Sequence, residues 1–285
     1  NARPPAASRA VIAACAIGTS TSGQAARTLN EATHVETRTF ASLLWRLDNR
    51  QLVLDDRTVV VVDESGMADD AHLARLLLAV ERADAKLVVV GDPRQLDAVG
   101  PGGALASLIE RHPELVTTLD HNVRQHDPAE RQALAALRDG SVPDAIAWYV
   151  DNDRISIRSN RTDTLVAMTD AWSADVAGEH RTALLAWRRA DVADLNRLAR
   201  HRWDELGNLT GDDVIVDGRP YAVGDRIVAL APNPAAEIVT SEQLDVVAVA
   251  DDRIAARADD GRIVVLTGDH LDRHHLDHAY ALTVH

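Results

Sequence analysis

The sequence predicts an α/β protein with two lobes built on parallel sheets and a small antiparallel barrel inserted into the second lobe. Three observations lead to this prediction. Apolar, β-branched runs alternate with stretches in which apolar residues recur every three or four positions, the pattern of parallel strands joined by helices. One run ends directly in two carboxylates. A late segment changes to short alternating strands between turn residues.

The first lobe is expected to cover residues 1–150. Its predicted strands are Val11 to Ile17, Thr58 to Val62 and Leu87 to Val90. Helical spacing of apolar residues follows the second strand over 73–80 and the third over 105–109. The stretch from Pro128 to Tyr149 indicates two helices broken near Gly140-Ser141, and the acidic, polar residues that follow mark the lobe boundary.

The second lobe is predicted to start over residues 151–208, with a strand at Thr182 to Trp187 and an arginine-rich helix at Ala190 to Leu206. Residues 209–272 favour the inserted barrel, because short strands alternate there with the hairpin signals Asp217-Gly218 and Asp260-Gly261. Residues 273–285 return to the lobe through a buried strand. The predicted strands of the barrel and the return are Val214 to Val216, Arg226 to Leu230, Leu244 to Val249, Ile254 to Arg257, Ile263 to Leu266 and Tyr280 to Val284.

Composition excludes several classes of protein. The 285 residues are 46% hydrophobic, enough to bury one large core or two modest ones. No apolar run approaches the roughly 20 residues that cross a bilayer. A net charge of −14 argues against binding nucleic acid through bulk positive charge, so any DNA contact has to be local. The single cysteine, Cys15, fits a reducing cytoplasm, and a start at Asn1 suggests an excised fragment.

Asp63 and Glu64 follow a run of four valines that predicts a buried parallel strand. Ligands of open α/β sheets bind at the carboxyl ends of the strands. A carboxylate there can hold Mg²⁺ through its water shell, and a second can polarise an attacking water. The alternative is a solvated acidic pair at a strand end.

The next strand leads into Gly91-Asp92-Pro93-Arg94-Gln95-Leu96, so its polar groups should reach the same sheet edge. The Gln95 amide can donate to a terminal phosphate while its carbonyl accepts from a water. Gly91 and Pro93 favour a tight turn that presents it. A plain surface turn explains Gly and Pro but gives no reason for Gln95.

A third element comes from Arg124, in Leu119-Asp-His-Asn-Val-Arg124-Gln125, which follows a strand-like stretch at Leu115 to Leu119. An arginine near a γ-phosphate stabilises the charge that develops in phosphoryl transfer. Taken alone, Arg124 is better explained as a surface arginine or an ion-pair partner, and a catalytic role is suggested only by the ordered set of motifs.

Taken together, these stretches resemble motifs II, III, IV and the start of V of RecD-like superfamily 1 helicases. The resemblance is strongest to the helicase region of MobF-type conjugative relaxases, the TraI, TrwC and TraA proteins, especially actinobacterial ones, and it covers nearly the whole chain. The matching stretches are 62–67, 91–96, 122–125 and 280–285, with 22–27 and 38–44 similar to motifs Ia and Ib, and 184–186, 195–200 and 223–226 similar to the second lobe and its barrel.

The resemblance implies two RecA-like lobes with an SH3-like barrel, ATP and Mg²⁺ as ligands, and single-stranded DNA as substrate. Asp63, in the Walker B position, would bind Mg²⁺ through water. Glu64 would activate water, Gln95 would sense the γ-phosphate and Arg124 would act as the arginine finger, while Gly91 and Asp92 would lie beside the nucleotide. Four residues would lie near the DNA, namely Ser22, Thr39, Thr283 and His285.

The sequence departs from this pattern at one decisive point. A motor of this family uses a glycine-rich loop ending in Gly-Lys-Thr ahead of motif Ia to cradle the phosphates. The only lysine here is Lys86, at the start of a strand, and the final helicase motif is also missing. We therefore expect both lobes to be incomplete and the chain by itself not to hydrolyse ATP. Val123 also stands where relatives often carry a second arginine.

The remaining alternatives concern two clusters and the function. His270, His274, His275, His278 and His285 suggest a metal site, but their spacing matches no structural zinc motif. The arginines from Arg188 to Arg202 fit either a DNA-facing patch or a solvated helix face. The resemblance implies that the chain is an ATP-dependent helicase segment that moves 5′ to 3′ on single-stranded DNA in a conjugative relaxase, with transfer proteins as possible partners. The alternatives are a RecD-like repair helicase and a degenerate motor lobe that binds DNA or protein.

Overall fold

The computed structural model describes residues 15–95, 100–119, 122–180, 182–268, 271 and 273–284. The chain divides into two compact units, unit 1 up to Gly140 and unit 2 from Ser141. Gly140, with a φ of +89°, separates two helices at the predicted break.

Unit 1 alternates strands and helices, and its elements are β1 (Cys15–Ser20), α1 (Gly23–Thr33), β2 (Glu36–Thr39), α2 (Phe40–Asp48), β3 (Thr58–Val62), α3 (Asp70–Arg82), β4 (Lys86–Val89), α4 (Ala104–Arg111) and α5 (Pro128–Arg138). Short 3-10 helices follow β3 at Ser65–Met67 and α4 at Pro113–Leu115. The four strands form one sheet in the order β2-β1-β3-β4, and every neighbouring pair is parallel. The predicted parallel α/β class is thus confirmed for this unit.

The core of unit 1 lies between the sheet and the helices α2 and α3. Residues alternate along β3, so that Thr58, Val60 and Val62 are buried on one face. Apolar side chains spaced by three or four residues on the two helices pack against them, including Leu43, Leu73 and Leu76, which are at most 1% exposed. Because β3 lies between β1 and β4 in the sheet, Asp63 follows a strand with neighbours on both sides.

Unit 2 contains a helical part and an antiparallel part. Its elements are α6 (Val142–Asp151), α7 (Arg161–Ala177), β5 (Leu184–Ala186), α8 (Arg189–Glu205), β6 (Thr210–Val216), β7 (Arg219–Val223), β8 (Arg226–Ala229), β9 (Gln243–Ala250), β10 (Arg253–Ala258), β11 (Ile263–Thr267), β12 (Leu276–His278) and β13 (Ala281–Thr283). A 3-10 helix lies at Pro234–Ala236. The last strand, β13, lies within the stretch Tyr280 to Val284 that was predicted as a strand, and it pairs in parallel with β5.

Strands β6 to β12 are antiparallel and share one core. Five of them form a sheet in the order β11-β10-β9-β8-β12, and β6 and β7 form a hairpin. Val216 and Tyr221 of the hairpin belong to the same buried cluster as Leu244, Ile254 and Leu266 of the sheet. We call residues 210–278 the β insertion, since they interrupt the chain between β5 and its partner β13.

The structure corrects two expectations about strands. The strand-like stretch at Leu115 to Leu119 contains only the end of a 3-10 helix, and Leu119 is 86% exposed. No strand in the described part of the chain pairs with it, so its backbone has no ladder to join. Conversely, the predictions contained no strand at β2, because Glu36-Thr-Arg-Thr has polar residues on both faces. Of the strand predicted at Val11 to Ile17, residues 11–14 lie outside the described residues, and β1 extends on to Ser20.

Candidate nucleotide and DNA site

The carboxyl ends of the four parallel strands in unit 1 lie along one edge of the sheet. Ser20 ends β1, Thr39 ends β2, and Val62 and Val89 end β3 and β4. The chain leaves β3 through Asp63 and Glu64 and leaves β4 through Val90, Gly91 and Asp92. The edge therefore brings together the carboxylates of the first predicted motif and the turn of the second.

Backbone hydrogen bonds hold the turn after β3 on both sides. The Asp63 N–H donates to the Thr19 carbonyl at 2.9 Å, and the Val90 N–H donates to the Val62 carbonyl at 2.7 Å. Ser65 then donates twice to the Val90 carbonyl, through its N–H at 3.0 Å and its hydroxyl at 2.8 Å. The ladder thus continues past the ends of the strands and orders the backbone that carries the two carboxylates.

Glu64 adopts a left-handed backbone conformation, with φ 51° and ψ 39°. For a residue with a side chain this conformation costs about 1–2 kcal/mol. Such strain persists only where the surroundings enforce it, and it is frequent at functional sites. The hydrogen bonds of Ser65 to the neighbouring strand supply that enforcement, so the Glu64 conformation is a consequence of joining the two turns.

Gly91 allows the turns after β3 and β4 to touch. A Cβ atom on Gly91 would lie 2.7 Å from the Ser65 hydroxyl, 2.9 Å from Leu105 Cδ2 and 3.1 Å from the Gly66 nitrogen. A Cβ on Gly66 would in turn lie 3.2 Å from the Asp92 carbonyl oxygen. The two glycines make this a close backbone contact that a larger residue at position 91 would push apart.

The turn that carries Gln95 is anchored to the end of α5 by four charged residues. The Arg94 guanidinium donates to Asp139 at 3.0 Å and to the Arg138 carbonyl at 3.3 Å, while Arg138 lies 3.5 Å from the Asp92 carboxylate. Asp92 also accepts from the Arg94 N–H at 3.0 Å. Sequence reasoning missed this ring of contacts, because the two pairs are separated by more than forty positions.

Gln95 and Arg124 are exposed, and their hydrogen bonds are local. The Gln95 N–H donates to the Asp92 carbonyl at 3.2 Å, which closes a turn. Asn122 accepts from the Arg124 N–H at 3.0 Å and the Gln125 N–H at 3.3 Å, another local turn. Among the described residues, no hydrogen bond or ion pair joins either side chain to Asp63 or Glu64. Leu96 lies outside the described residues.

Ser22 and Thr39 both cap helices at the same sheet edge. The Ser22 hydroxyl accepts from the Ala25 N–H at 3.1 Å at the start of α1, and the Thr39 hydroxyl accepts from the Ser42 N–H at 3.2 Å at the start of α2. Thr283 ends β13 in unit 2, in register with Ala186 of β5. His285, the fourth predicted DNA residue, lies outside the described residues.

The carboxylates at the edge suit a hard cation that completes its coordination with waters and phosphate oxygens. Asp63, Glu64 and Asp92 offer carboxylate oxygens, which Mg²⁺ prefers, and Mg²⁺ usually keeps several waters and takes only one or two carboxylates with substrate phosphates. The described residues contain no group of three or more His, Cys, Asp or Glu side chains arranged as a metal site. Lys86 is the first residue of β4, so about 10 Å of strand separates it from the edge.

The histidines and arginines singled out in the sequence have mostly structural contacts. His274 pairs with Asp217, and the His278 ring lies 4.7 Å from the Tyr221 ring. Arg197 and Arg202 form ion pairs with acidic neighbours, whereas Arg200 is largely buried and binds Asp225. His270 lies outside the described residues.

Two buried polar residues of unit 2 had no assigned role in the sequence. Asn196, 3% exposed, donates to the His278 carbonyl at 2.9 Å and accepts from the Ala281 N–H at 2.7 Å. Asp225 is fully buried and accepts from Arg200 and Tyr280. The only signal was that both residues lie in stretches that resemble the helicase family, at 195–200 and 223–226.

Burial shifts the titration of the groups around Asp225. It raises the pKa of Tyr280 well above its ordinary value, and the Asp225 charge adds to this. It also raises the pKa of Tyr221 to about 12 and lowers the pKa of His278. Burial alone would lower the pKa of Arg200, but the hydrogen bonds that Arg200 donates to Asp225 and Asp213 outweigh it and raise the pKa. At neutral pH, Arg200 is therefore charged and His278 neutral.

No helix in the described part of the chain is both long and apolar enough to cross a membrane.

Comparison with known proteins identifies the family. The AAA domain family matches residues 7–160, more than half of the chain. The conjugal transfer protein TraA of Agrobacterium fabrum strain C58 is 32% identical over 284 residues, which cover 94% of this chain and 25% of TraA. The RecBCD subunit RecD of Mycolicibacterium smegmatis is 30% identical over 249 residues, which cover 80% of this chain and 42% of RecD. The chain thus spans about a quarter of the length of its TraA relative.

The fold is shared with a solved helicase. A crystal structure of the Pif1 helicase from Bacteroides, in complex with ADP-AlF3 and single-stranded DNA, is similar with a TM-score of 0.53 at 16% identity. The likeness covers 95% of this chain and 73% of the Pif1 chain. It shows a RecA-like helicase fold, in agreement with the parallel sheet and its strand-end turns. The chain belongs to the AAA domain family, and its similarity to TraA and RecD supports its assignment as a superfamily 1 helicase region.

Proposed function

We propose that this chain provides the metal-and-water end of the ATP site, and part of the single-stranded DNA surface, of a 5′ to 3′ helicase in a conjugative relaxase of the cytoplasm. The observation that carries the proposal is the joined pair of turns at the sheet edge. There, Ser65 bonds the acidic turn to the end of β4, and Gly91 permits their contact. Two carboxylates on a hydrogen-bonded turn at the ligand-binding edge of a parallel sheet fit phosphoryl transfer to water.

Each residue of the site has a proposed task. The Asp63 carboxylate holds Mg²⁺ through water, and the Glu64 carboxylate takes a proton from the attacking water. Gln95 orients that water against the terminal phosphate, and Arg124 neutralises the charge that develops there. Gly91 and Asp92 shape the wall beside the nucleotide. Bound ATP and Mg²⁺ supply the transferable phosphoryl group and its charge compensation.

Ser22 and Thr39 in unit 1, and Thr283 and His285 in unit 2, are each proposed to contact DNA. Ser22 and Thr39 stand at helix N-termini, whose N–H groups and dipoles favour the phosphate backbone over base edges. Such contacts are blind to sequence, as a translocating enzyme requires. The β insertion corresponds in this proposal to an SH3-like barrel, and residues 151–208 and 273–285 to the second RecA-like lobe around it.

We propose that ATP hydrolysis needs a phosphate-binding lysine. The only lysine of these 285 residues is not at the site. Lys86 stands at the far end of β4, so it cannot reach phosphates at the carboxyl edge. We therefore expect the 285-residue chain to bind fluorescent ATP analogues weakly or not at all. Tight, Mg²⁺-dependent binding would contradict this account.

The test of the motor uses the full-length native protein. Glu64→Gln should abolish ATP hydrolysis while nucleotide binding stays close to that of the wild type, because the change removes a base and keeps the shape. Glu81→Gln, at an exposed position of α3, is the matched control and should keep full activity. Normal hydrolysis by Glu64→Gln would remove Glu64 from the mechanism.

A RecD-like repair helicase is the second candidate, supported by the similarity to the Mycolicibacterium RecD subunit over 80% of the chain. The native reading frame distinguishes the two candidates, since a relaxase carries a metal-binding histidine triad and a nucleophilic tyrosine upstream. A native gene without any Gly-Lys-Thr loop would instead favour the degenerate motor lobe, which binds DNA or protein without hydrolysis.

A further inference from the structure

The carboxylate of Asp225 is the most heavily bonded buried charge in the described part of unit 2. Arg200 donates to it three times, from Nε at 3.0 and 3.1 Å to the two oxygens and from Nη2 at 3.0 Å. The Ala222 N–H donates at 2.7 Å and the Tyr280 hydroxyl at 2.6 Å. A buried charge is tolerable only with such complete pairing, so these contacts cannot be exchanged cheaply for others.

These donors come from three separate parts of unit 2. Arg200 lies on α8, Ala222 lies on β7 of the β insertion, and Tyr280 immediately precedes β13. The turn that carries Asp225 is equally constrained, because Gly224 has a φ of +97° and a Cβ there would lie 2.0 Å from the Asn208 carbonyl oxygen. The carboxylate therefore joins the β insertion to the strand that returns from it.

Strand β13 depends on anchors at its start. It has three residues, and in the part of the chain that the structure describes it pairs only with the equally short β5. A two-stranded sheet of this length is marginal on its own. Tyr280, 3% exposed, packs its ring 5.9 Å from that of Trp172 and 6.2 Å from that of Trp203, and the Ala281 N–H is held by Asn196.

We propose that Asp225, acting through the Tyr280 hydroxyl, is a positioning residue that sets β13 and with it Thr283, the DNA contact three residues further on. This inference rests on the proposed function of Thr283. The Asp225 carboxylate couples the position of the β insertion to that of the DNA-contacting end of β13. A ligand that displaces the insertion should therefore change the affinity for single-stranded DNA.

Tyr280→Phe tests the proposal with little disturbance, because the ring packing and the Arg200 and Ala222 bonds to Asp225 all remain. Two quantities are measured on the 285-residue chain, the anisotropy of a labelled oligothymidine and the hydrogen exchange of the amides at 281–283. Because the variant loses one hydrogen bond to a charged group, we expect about tenfold weaker DNA binding. We also expect faster exchange at 281–283. Tyr221→Phe, a buried tyrosine that does not bond Asp225, is the control and should change neither quantity.

A second arm separates positioning from general weakening. If Tyr280 acts through β13, the double variant Tyr280→Phe/Thr283→Val should bind DNA no more weakly than Thr283→Val alone. Additive losses, or wild-type affinity and exchange in Tyr280→Phe, would overturn the proposal. If the wild-type chain binds no oligothymidine, the proposed DNA contact fails, and the exchange at 281–283 still decides whether Asp225 positions the strand.

Discussion

Removing Arg200 should destabilise unit 2 strongly, because it leaves the Asp225 charge buried without its cation. Arg200→Ala deletes the three hydrogen bonds to Asp225 and one to Asp213, while Asp225 keeps the Ala222 N–H and the Tyr280 hydroxyl. Breaking a buried ion pair from one side costs about 3–5 kcal/mol. Since two donors remain, we expect the lower end, about 3 kcal/mol. With a urea dependence of about 2 kcal/mol per molar, the midpoint should fall by about 1.5 M.

The assay is urea unfolding followed by tryptophan fluorescence in a Trp45→Phe background, in which every remaining tryptophan lies in unit 2. Arg202→Ala is the matched control, since Arg202 lies on the same helix and forms two ion pairs, with Asp170 and Glu205, on the surface. Exposed pairs contribute little, so its midpoint should stay close to that of the wild type.

The double variant Arg200→Ala/Asp225→Asn identifies the cause of the loss. If the buried charge is the problem, neutralising it should recover part of the stability that Arg200→Ala removes. A double variant less stable than Arg200→Ala, or an Arg200→Ala midpoint that matches that of Arg202→Ala, would refute the reasoning.

Three further predictions concern the turns of unit 1 and the core of unit 2. Gly91→Ala should lower the free energy of unfolding of unit 1 by about 1–3 kcal/mol. Gly100→Ala is the control and should lower it far less, because a Cβ there has its nearest neighbour at 3.4 Å. Equal urea midpoints for the two variants would contradict the close contact at Gly91. Glu64→Gly should leave unit 1 about 1 kcal/mol more stable than Glu64→Ala, because only glycine relieves the left-handed strain; equal midpoints would argue against that strain. Burial lowers the pKa of His278 in the folded protein, so the unfolded chain binds the extra proton and unit 2 should lose stability as the pH falls below about 6.5. His278→Phe should flatten this dependence of the midpoint on pH, and an unchanged slope would assign it to other groups.

Elements buried on both faces or along a clear stripe were predictable from the sequence. The run of valines after Thr58 became β3, and the arginine-rich helix predicted at Ala190 to Leu206 spans Arg189–Glu205. The valine run is apolar at every position, and the helix has apolar residues at helical spacing; both patterns are local properties of the sequence. The position of Asp63 at a sheet edge followed directly.

Elements whose structure depends on partners elsewhere were not predictable. β2 is polar and gains its strand conformation by pairing with β1, whereas 115–119 has strand-forming residues but no described partner. The same holds for polar contacts. Asn196 bonds residues more than eighty positions away, and the Asp225 network joins three distant segments. No local pattern encodes such pairs.

The same distinction between local patterns and long-range contacts applies to the candidate site. The acidic turn and the Gly91 turn meet because adjacent parallel strands end together, which sequence order and strand pattern imply. Gln95 and Arg124 project from loops whose positions depend on longer-range contacts, such as the Arg94 and Arg138 pairs, and their roles remain predictions.

The hydroxyl groups that cap α1 and α2 restrict which residues these positions can hold. A hydroxyl has two lone pairs and one proton, and the cap bonds to the Ala25 and Ser42 N–H groups use only lone pairs. The proton can still be donated to a phosphate oxygen. Aspartate caps a helix as well as serine does, yet its carboxylate has no proton to donate at neutral pH and repels phosphate. Helix stability alone would therefore accept aspartate at Ser22 and Thr39, whereas the proposed contact with DNA phosphates would exclude it.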